Sequence, residues 1–477
     1  MKEYGGLRRL RFEAYFLTMP LHAWMIRGWK TRRAYLGLKR TEFISRTEMT
    51  ELRLVRLRAI LQHAYDTSAF YRRRFDDVGF VPNSLTSLDQ LSAIPFLTKD
   101  DVRDNLDNGL ISTAIPNKKM LRINTSGSTG RPFTIYADQD QLEVRFAATI
   151  RALEWTGWRF GDRQARLWHQ TLGMSRTQVL RERIDAWFMR RLFIPAFEIS
   201  PANIEKFVAL VRKHNPVLVD GYAESLNFLA TYVKSGQNPG FSPKAIMSSA
   251  QALPENTREV IERGFQTRVF DKYGSREFSG IAYECTEHQD HHIVDECYIV
   301  ELLVDGRPAA PGEVGEIVIT DLFNRATPMI RYRIGDLAVA VDESVPCACG
   351  RSHSRLGQIE GRTQAIVHCA NGAWLPGTFF AHFFKDHEAD IRFFQIVQSA
   401  KGSFVLKVVK NDKFSQESMN KILKSLREYI GDTTVTVEYV DEIPLVRTGK
   451  RSPVVSSVVE DFQALSVSGQ VRRKDSQ

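Results

Sequence analysis

At 477 residues, 43% hydrophobic and 25% charged, the chain is long enough for two or more domains with a substantial core and has the composition of an ordinary folded protein. No run approaches the ~18 uninterrupted apolar residues a membrane span requires, so that class is excluded. The net charge of +9 is concentrated at the start, where Lys2, Arg8, Arg9, Arg11, Arg27, Lys30, Arg32, Arg33, Lys39 and Arg40 face only Glu3 and Glu13; the near-neutral remainder argues against nucleic acid as a partner.

The most apolar N-terminal run, Phe12 to Trp29, is broken by Glu13, His22 and Arg27. It lacks the apolar core and cleavage site of a signal peptide, which predicts a cytoplasmic protein. Tyr15, Phe16, Trp24 and Trp29 interleave with the basic residues. That pattern fits a basic helix capping the domain, or a helix that docks on a membrane surface or a biosynthetic complex. Next, Ser45-Arg-Thr-Glu48 has capping-box spacing and opens a predicted helix with Leu54, Leu57, Leu61 and Ala64 on one face. Ser87–Leu91 and Pro95–Asp100 read as short helical steps.

Met120-Leu-Arg-Ile-Asn124 then reads as one strand and Phe133-Thr-Ile-Tyr136 as another. Between them, hydroxyls at Thr125, Ser126, Ser128 and Thr129 surround Gly127 and Gly130, followed by Arg131-Pro132. Glycines let backbone N–H groups converge closely on a ligand, and such a concavity suits phosphate oxygens. The segment has no Gly-Lys-Ser/Thr ending and no following helix, which excludes a Walker-type loop. An ordinary Ser/Gly hairpin turn is the alternative.

Residues 140–155 are apolar-periodic and predict a helix ending near Gly157. In the middle third, Ser200-Pro201 opens a helix to about His214, and Val217–Val219 is a strand. Residues 224–234 form a helix stopping at Gly236, Ala245–Met247 is a strand, 255–263 a helix ending at Gly264, and Arg268–Phe270 a strand. This alternation predicts parallel strands with right-handed crossovers. It places Asp220–Glu224, Ser248–Ala250 and Asp271–Glu277 at neighbouring carboxyl ends, where open α/β sheets bind ligands. From Cys297 the pattern turns to β, with strands over Tyr298–Val304, Glu316–Thr320 and Arg331–Asp336. A smaller unit follows Gly361-Arg362, with strands near 393–398, 403–409 and 434–440 and a helix at 415–430. Beyond Ser466 the chain is polar and predicted to be disordered.

Five motifs stand in order: Ser126-Gly-Ser-Thr-Gly130, Tyr273-Gly-Ser-Arg-Glu277, Tyr332-Arg-Ile-Gly-Asp336, Gly361-Arg362 and Arg447-Thr-Gly-Lys450. By these the chain resembles adenylate-forming enzymes, in particular the phenylacetate–CoA ligase family and its CapK-like branch, associated with capsular polysaccharide biosynthesis, over roughly residues 50–460. The resemblance implies an α/β fold: a basic aromatic N-terminal extension (1–45), a large multi-sheet N-terminal adenylate-forming domain (46–360), a small α+β C-terminal lid domain (361–465) and a polar tail (466–477).

It also implies the chemistry. A carboxylic acid attacks the α-phosphate of ATP, giving acyl-AMP, and the acyl group passes to CoA; a crowded anionic phosphorus needs dispersed positive charge around it. The loop Thr125, Ser126, Gly127, Ser128, Thr129 and Gly130 is expected to hold the β- and γ-phosphates. Glu277 is expected to ligate Mg²⁺. Asp336 is expected to accept hydrogen bonds from the ribose hydroxyls. Tyr273, with Gly274 and Ser275, is expected near adenine and Arg362 at the domain junction. Lys450 is the expected adenylation lysine, a mobile point charge on the lid. Trp168, His169, Tyr222, Ala223, Ser249 and Ala250 are expected to line the acyl pocket by position, with plain core as the alternative reading of the aromatics.

The five cysteines, Cys285, Cys297, Cys347, Cys349 and Cys369, are too few and odd in number for a disulfide framework. Cys347-Ala-Cys349, with Cys285 and His292 upstream, can instead make a closed zinc site, as the resemblance also implies; His291, His288 and His353 are alternative ligands, and reduced thiols in a loop are the other reading. Two departures bear on the second half-reaction. Gln364 stands where the family has an acidic hinge residue, and Cys369-Ala-Asn-Gly-Ala373 replaces an Arg/Gly-rich turn. Two other functions therefore stay open. One is acyl transfer to a sugar or amine acceptor in polysaccharide assembly; the other is a catalytically silent scaffold that docks through its basic N-terminus.

Overall fold

The computed structural model describes residues 6–22, 28–124, 134–168, 176–196, 204–234, 240–251, 253–360, 366–371, 374–384, 387, 389–443 and 453–456. Trp24, Thr125–Phe133, His169, Arg362, Gln364, Lys450 and the tail beyond Ser466 lie outside them.

The scaffold is an eight-stranded sheet. Its order is Arg355–Leu356, His291–Ile293, Ser279–Glu284, Val269–Ser275, Ala245–Ser249, Leu218–Tyr222, Gln164–Trp168 and Arg191–Pro195. The last five of these run parallel, as the strand–helix alternation requires, and the first three pair antiparallel. Because side chains alternate faces along a strand, the apolar strands feed two cores. Leu218, Ala245, Met247 and Phe270 enter one, and Val219, Ile246 and Val269 the other. Helices Ile204–His214, Ala223–Lys234 and Glu255–Phe265 supply the crossovers. The last of these runs past Gly264, the expected stop, and ends at Gln266 in the left-handed region (φ 52°). Gly264 serves a contact instead: a Cβ there would lie 2.7 Å from the Ala230 carbonyl oxygen, so its absence lets the two helices pack closely.

A second, five-stranded antiparallel sheet contains Tyr298–Val304, Val314–Asp321 and Tyr332–Val339 as its central strands. A third, four-stranded sheet of the C-terminal unit has the order Thr434–Tyr439, Ser403–Lys410, Ile391–Ala400 and Val454–Ser456. It is accompanied by helix Gln416–Ile430, whose Ser415 cap accepts from the Ser418 N–H. The architecture is α/β with several sheets and a small α+β C-terminal unit, as expected.

At the N-terminus, helix Gly6–His22 buries Phe12, Tyr15, Phe16 and Met19 in the main core. The expectation that its aromatics form a docking face is corrected for Tyr15 and Phe16, because the aromatic side chains pack against Phe160 and Phe188. The face left to solvent carries Leu7, Leu10, Leu17 and Leu21 instead. Among the described residues no helix is long and apolar enough to cross a membrane.

Candidate functional site

Strand Val269–Ser275 and the turn after it carry the first group of predicted residues. The chain doubles back so tightly that a Cβ on Gly274 would lie 2.0 Å from the Ser279 carbonyl oxygen, so only glycine fits. Ser275 Oγ accepts from the Phe278 N–H at 3.3 Å and closes the turn. Arg145, from helix Gln139–Glu154, braces it by donating to the carbonyls of Glu277 (3.0 Å) and Arg276 (3.1 Å). The Tyr273 hydroxyl donates to Asp336 Oδ2 at 3.1 Å, joining the eight-stranded sheet to the five-stranded one. Glu277 is buried, yet its carboxylate makes no hydrogen bond or ion pair among the described residues. A buried carboxylate with open coordination suits a hard cation.

The glycine-rich loop lies outside the described residues, but its stem does not. Strands Met120–Asn124 and Thr134–Asp138 pair antiparallel, as predicted, up to the rung Asn124–Thr134. Thr134 Oγ1 donates to Asn124 Oδ1 across that rung at 3.1 Å. The stem is pinned to the connection that precedes the Asp336 strand. The Tyr136 N–H donates to Thr327 Oγ1 (3.1 Å), Asn324 Nδ2 to the Tyr136 carbonyl (3.1 Å), and the Arg325 N–H to Asp138 Oδ2 (2.7 Å).

The described acyl-pocket candidates, Trp168, Tyr222, Ala223, Ser249 and Ala250, gather at neighbouring carboxyl ends. Trp168 and Tyr222 stack with centroids 4.4 Å apart and planes 5° from parallel. Ser249 ends its strand, and Ala250 follows at φ 69°, a strained conformation for a residue with a Cβ. Gln251 Oε1 accepts from the Glu224 N–H at 3.1 Å, and its amide donates to the Glu224 carboxylate. Burial pushes the Glu224 carboxyl up to about 8 despite that bond. Beside these strands, a cavity of about 290 Å³ is lined by Arg145, Arg166, Asp220, Ser249, Lys272 and Tyr283 among others. Sequence reasoning missed Arg145, Arg166 and Lys272. The available signal was Lys272 itself, a cation inside the strand Val-Phe-Asp-Lys-Tyr.

A candidate metal centre sits at the antiparallel edge of the same sheet. Ligand atoms of Cys285, His292, Cys347 and Cys349 all lie within 4.8 Å of one another. Cys285 Sγ is 3.7 Å from Cys347 Sγ, and Cys349 Sγ is 3.4 Å from His292 Nε2. A tetrahedral ion with Zn–S of ~2.3 Å and Zn–N of ~2.0 Å spaces its ligands by about 3.4–3.8 Å, the spacing of these two pairs. Hydrogen bonding by Cys285, and then by His292, lowers Cys349 below an ordinary thiol, while the same bond raises Cys285 and burial raises Cys347. The alternative ligands are engaged elsewhere. His291 Nε2 faces Asp271 at 3.1 Å, His288 faces Glu284 at 3.5 Å, and His353 Nδ1 faces the Ile293 carbonyl at 2.8 Å. Cys297 and Cys369 lie apart as buried thiols.

Residues 368–457 match the family described as the CapK C-terminal domain. The phenylacetate–coenzyme A ligase of Escherichia coli (strain K12) is 30% identical over 336 residues, covering 68% of this chain and 74% of that protein. Protein CapK of Staphylococcus aureus is 22% identical over 443 residues, 90% of this chain and 93% of that protein. Among solved structures, 2-hydroxyisobutyryl-CoA ligase with 2-HIB-AMP and CoA in the thioesterification state superposes with a TM-score of 0.61 at 22% identity, covering 90% of this chain and 94% of that one. At that identity the likeness is one of fold.

Proposed function

The chain belongs to the phenylacetate–CoA ligase family, and from that membership we propose an ATP-dependent, AMP-forming ligase that activates a carboxylic acid and passes the acyl group to CoA. The observation that carries this reading is a convergence. Tyr273 and Asp336, 63 residues apart, meet at 3.1 Å beside the turn that holds Glu277, over the carboxyl ends of parallel strands.

In this reading a carboxylate oxygen of the acid attacks the α-phosphorus, the bond to the bridging oxygen breaks, and pyrophosphate leaves. The CoA sulfur then adds to the acyl carbon, AMP leaves with the bonding pair, and the thiol proton passes to solvent. The loop from Thr125 to Gly130 would cradle the β- and γ-phosphates with N–H groups and hydroxyls. Asp336, oriented by Tyr273, would accept from the ribose hydroxyls, while Tyr273, Gly274 and Ser275 shape the adenine side. Glu277 would hold Mg²⁺, which when bound disperses charge on the phosphates. Arg362 at the domain junction and Lys450 on the lid would complete the positive surroundings of the α-phosphorus. Lys450→Ala is expected to lower ATP–pyrophosphate exchange by roughly 100-fold or more at unchanged melting temperature. Exchange at the wild-type rate would remove Lys450 from the mechanism.

The Cys285, His292, Cys347 and Cys349 cluster is best read as a structural zinc site, because four protein ligands leave no position open for a substrate. A second reading of the acceptor, a sugar or amine, is favoured by Gln364 at the hinge and by the match of 368–457 to the CapK C-terminal domain. Comparing AMP release driven by CoA with release driven by a sugar acceptor separates the two. Tyr15 and Phe16 give the docking scaffold no support, since they belong to the core.

A further inference from the structure

The cavity of about 290 Å³ lies between the sheet and two helices, Gln139–Glu154 and Arg176–Phe188. Its volume suits a small acid rather than a large one. One wall is apolar, made by Leu142, Phe146, Leu153, Met189 and Met247. The floor is not: Arg166 and Asp220 rise from adjacent strands, and Lys272 from the strand on the far side of Ala245–Ser249. An aromatic or aliphatic acid would strip that floor of water and give nothing to Lys272.

The charges do not balance. Arg145, Arg166, Arg191 and Lys272 face the cavity against Glu182, Asp185 and Asp220. Arg166 pairs with Asp220 at 3.0 Å, and Asp220 also accepts from Gln164 at 2.7 Å. Arg191 donates to Gln164 at 2.9 Å; burial, then Arg166, lower its pKa, with Asp220, Asp185 and Glu182 opposing. Asp185 accepts from the Tyr15 hydroxyl at 3.2 Å, and Arg145 is turned to the 276–277 carbonyls. Arg145 and Arg191 also lack a carboxylate partner among the described residues but bond to carbonyl and amide oxygens, whereas Lys272 there has neither a carboxylate within ion-pairing reach nor another hydrogen-bond acceptor. Its amine sits 5.6 Å from the centre of the Tyr283 ring. Burial lowers it to about 8, with Arg166 and Arg145 pushing the same way and Asp220 opposing. It also immediately precedes Tyr273, whose hydroxyl holds Asp336.

We propose that this cavity is the acyl pocket and that Lys272 selects a short carboxylic acid carrying a second anionic group, of the dicarboxylate class. The proposal rests on the ligase reading above and adds the substrate class to it. One carboxylate reacts at the 273–277 turn, and the other supplies the partner Lys272 lacks, in a charge-assisted bond strengthened by the low-dielectric wall. A neutral tail would leave a half-buried cation uncompensated, which is the stronger ground for discrimination.

The test uses the full-length enzyme and pyrophosphate release with succinate and glutarate against butyrate and phenylacetate. The expected result is a preference of tenfold or more in kcat/KM for the diacids, reversed in Lys272→Met, restored in part in Lys272→Arg, and fading in wild type as pH rises through 8. Phenylacetate preferred over succinate, or an acid ranking unmoved in Lys272→Met at retained melting temperature, overturns the proposal and leaves the ligase reading standing. Silence with all four acids counts against the ligase reading. The pocket is then judged by calorimetric titration with succinate: binding weakened tenfold in Lys272→Met upholds it, and equal binding in both proteins overturns it.

Discussion

Gly274 shows how narrow the tolerances are where Tyr273, Asp336 and Glu277 come together. The atom a new Cβ would strike is the Ser279 carbonyl oxygen, 2.0 Å away, which is backbone and cannot swing aside as a side-chain end would. Gly274→Ala therefore forces the turn to open and moves the Tyr273 hydroxyl off Asp336. Displacement of about 1 Å at a reacting centre costs on the order of 100-fold, and overpacking costs roughly 1–3 kcal/mol. ATP–pyrophosphate exchange should fall on that scale, with a modest drop in melting temperature. Exchange within twofold of wild type would mean that the turn does not position these groups. The string Tyr-Gly-Ser-Arg-Glu was legible in the sequence because glycine and short polar residues mark a turn wherever they occur. Lys272 was not. A lysine in a strand reads as solvated, and only the helices packed over it, more than 80 residues earlier in the chain, make it half-buried.

Among the elements, the parallel strands were legible because Val219, Ile246 and Val269 sit in short apolar runs separated by helical periods, which admits few topologies. The antiparallel edge was hidden. Strands His291–Ile293 and Arg355–Leu356 are three and two residues long, too short to leave a pattern and too short to hold themselves in place. The proposed zinc cluster would account for their presence, since Cys285 follows one strand, His292 lies in the next, and Cys347 and Cys349 precede the last. Gly264 misled for a related reason: a glycine near a helix end reads as a stop, whereas here it admits the neighbouring Ala230. If the edge is stapled by zinc, enzyme prepared without chelators should contain about one zinc per chain, and a strong chelator should lower the melting temperature by several degrees, reversibly on zinc addition. Cys347→Ser should reproduce the loss. Metal-free protein whose melting temperature ignores both chelator and zinc would leave the cluster as reduced thiols.

A fully buried ion pair is among the contacts that tie the molecule as a whole to its N-terminal segment. Arg151, on helix Gln139–Glu154, pairs with Glu296, both with 0% side-chain exposure. Its guanidinium also donates to the Leu38 carbonyl at 3.2 Å, and the Thr41 hydroxyl donates to Glu296 Oε1 at 2.6 Å. The residues ending helix Lys30–Thr41 thus converge on one carboxylate that follows the zinc-proposed edge. Burial alone would raise the Glu296 carboxyl. The Arg151 charge, then His353, then hydrogen bonds from Arg151 and Thr41 outweigh it and bring it to about 2, below the ordinary 4.5. A depressed folded value contributes stability that is complete above the unfolded value and lost as pH falls through the folded one. Glu296→Gln keeps the shape but leaves Arg151 buried without its counter-charge, which costs about 3–5 kcal/mol. The variant should therefore melt several degrees below wild type at pH 7. Because the wild-type advantage depends on an ionised Glu296, the gap should narrow as pH is lowered from 6 toward 3, as scanning calorimetry across that range would register. A gap that stayed constant with pH would place the loss in packing, not charge; no gap at pH 7 would mean that the N-terminal helices are held without this ion pair, by contacts such as those of Phe12, Tyr15, Phe16 and Tyr35.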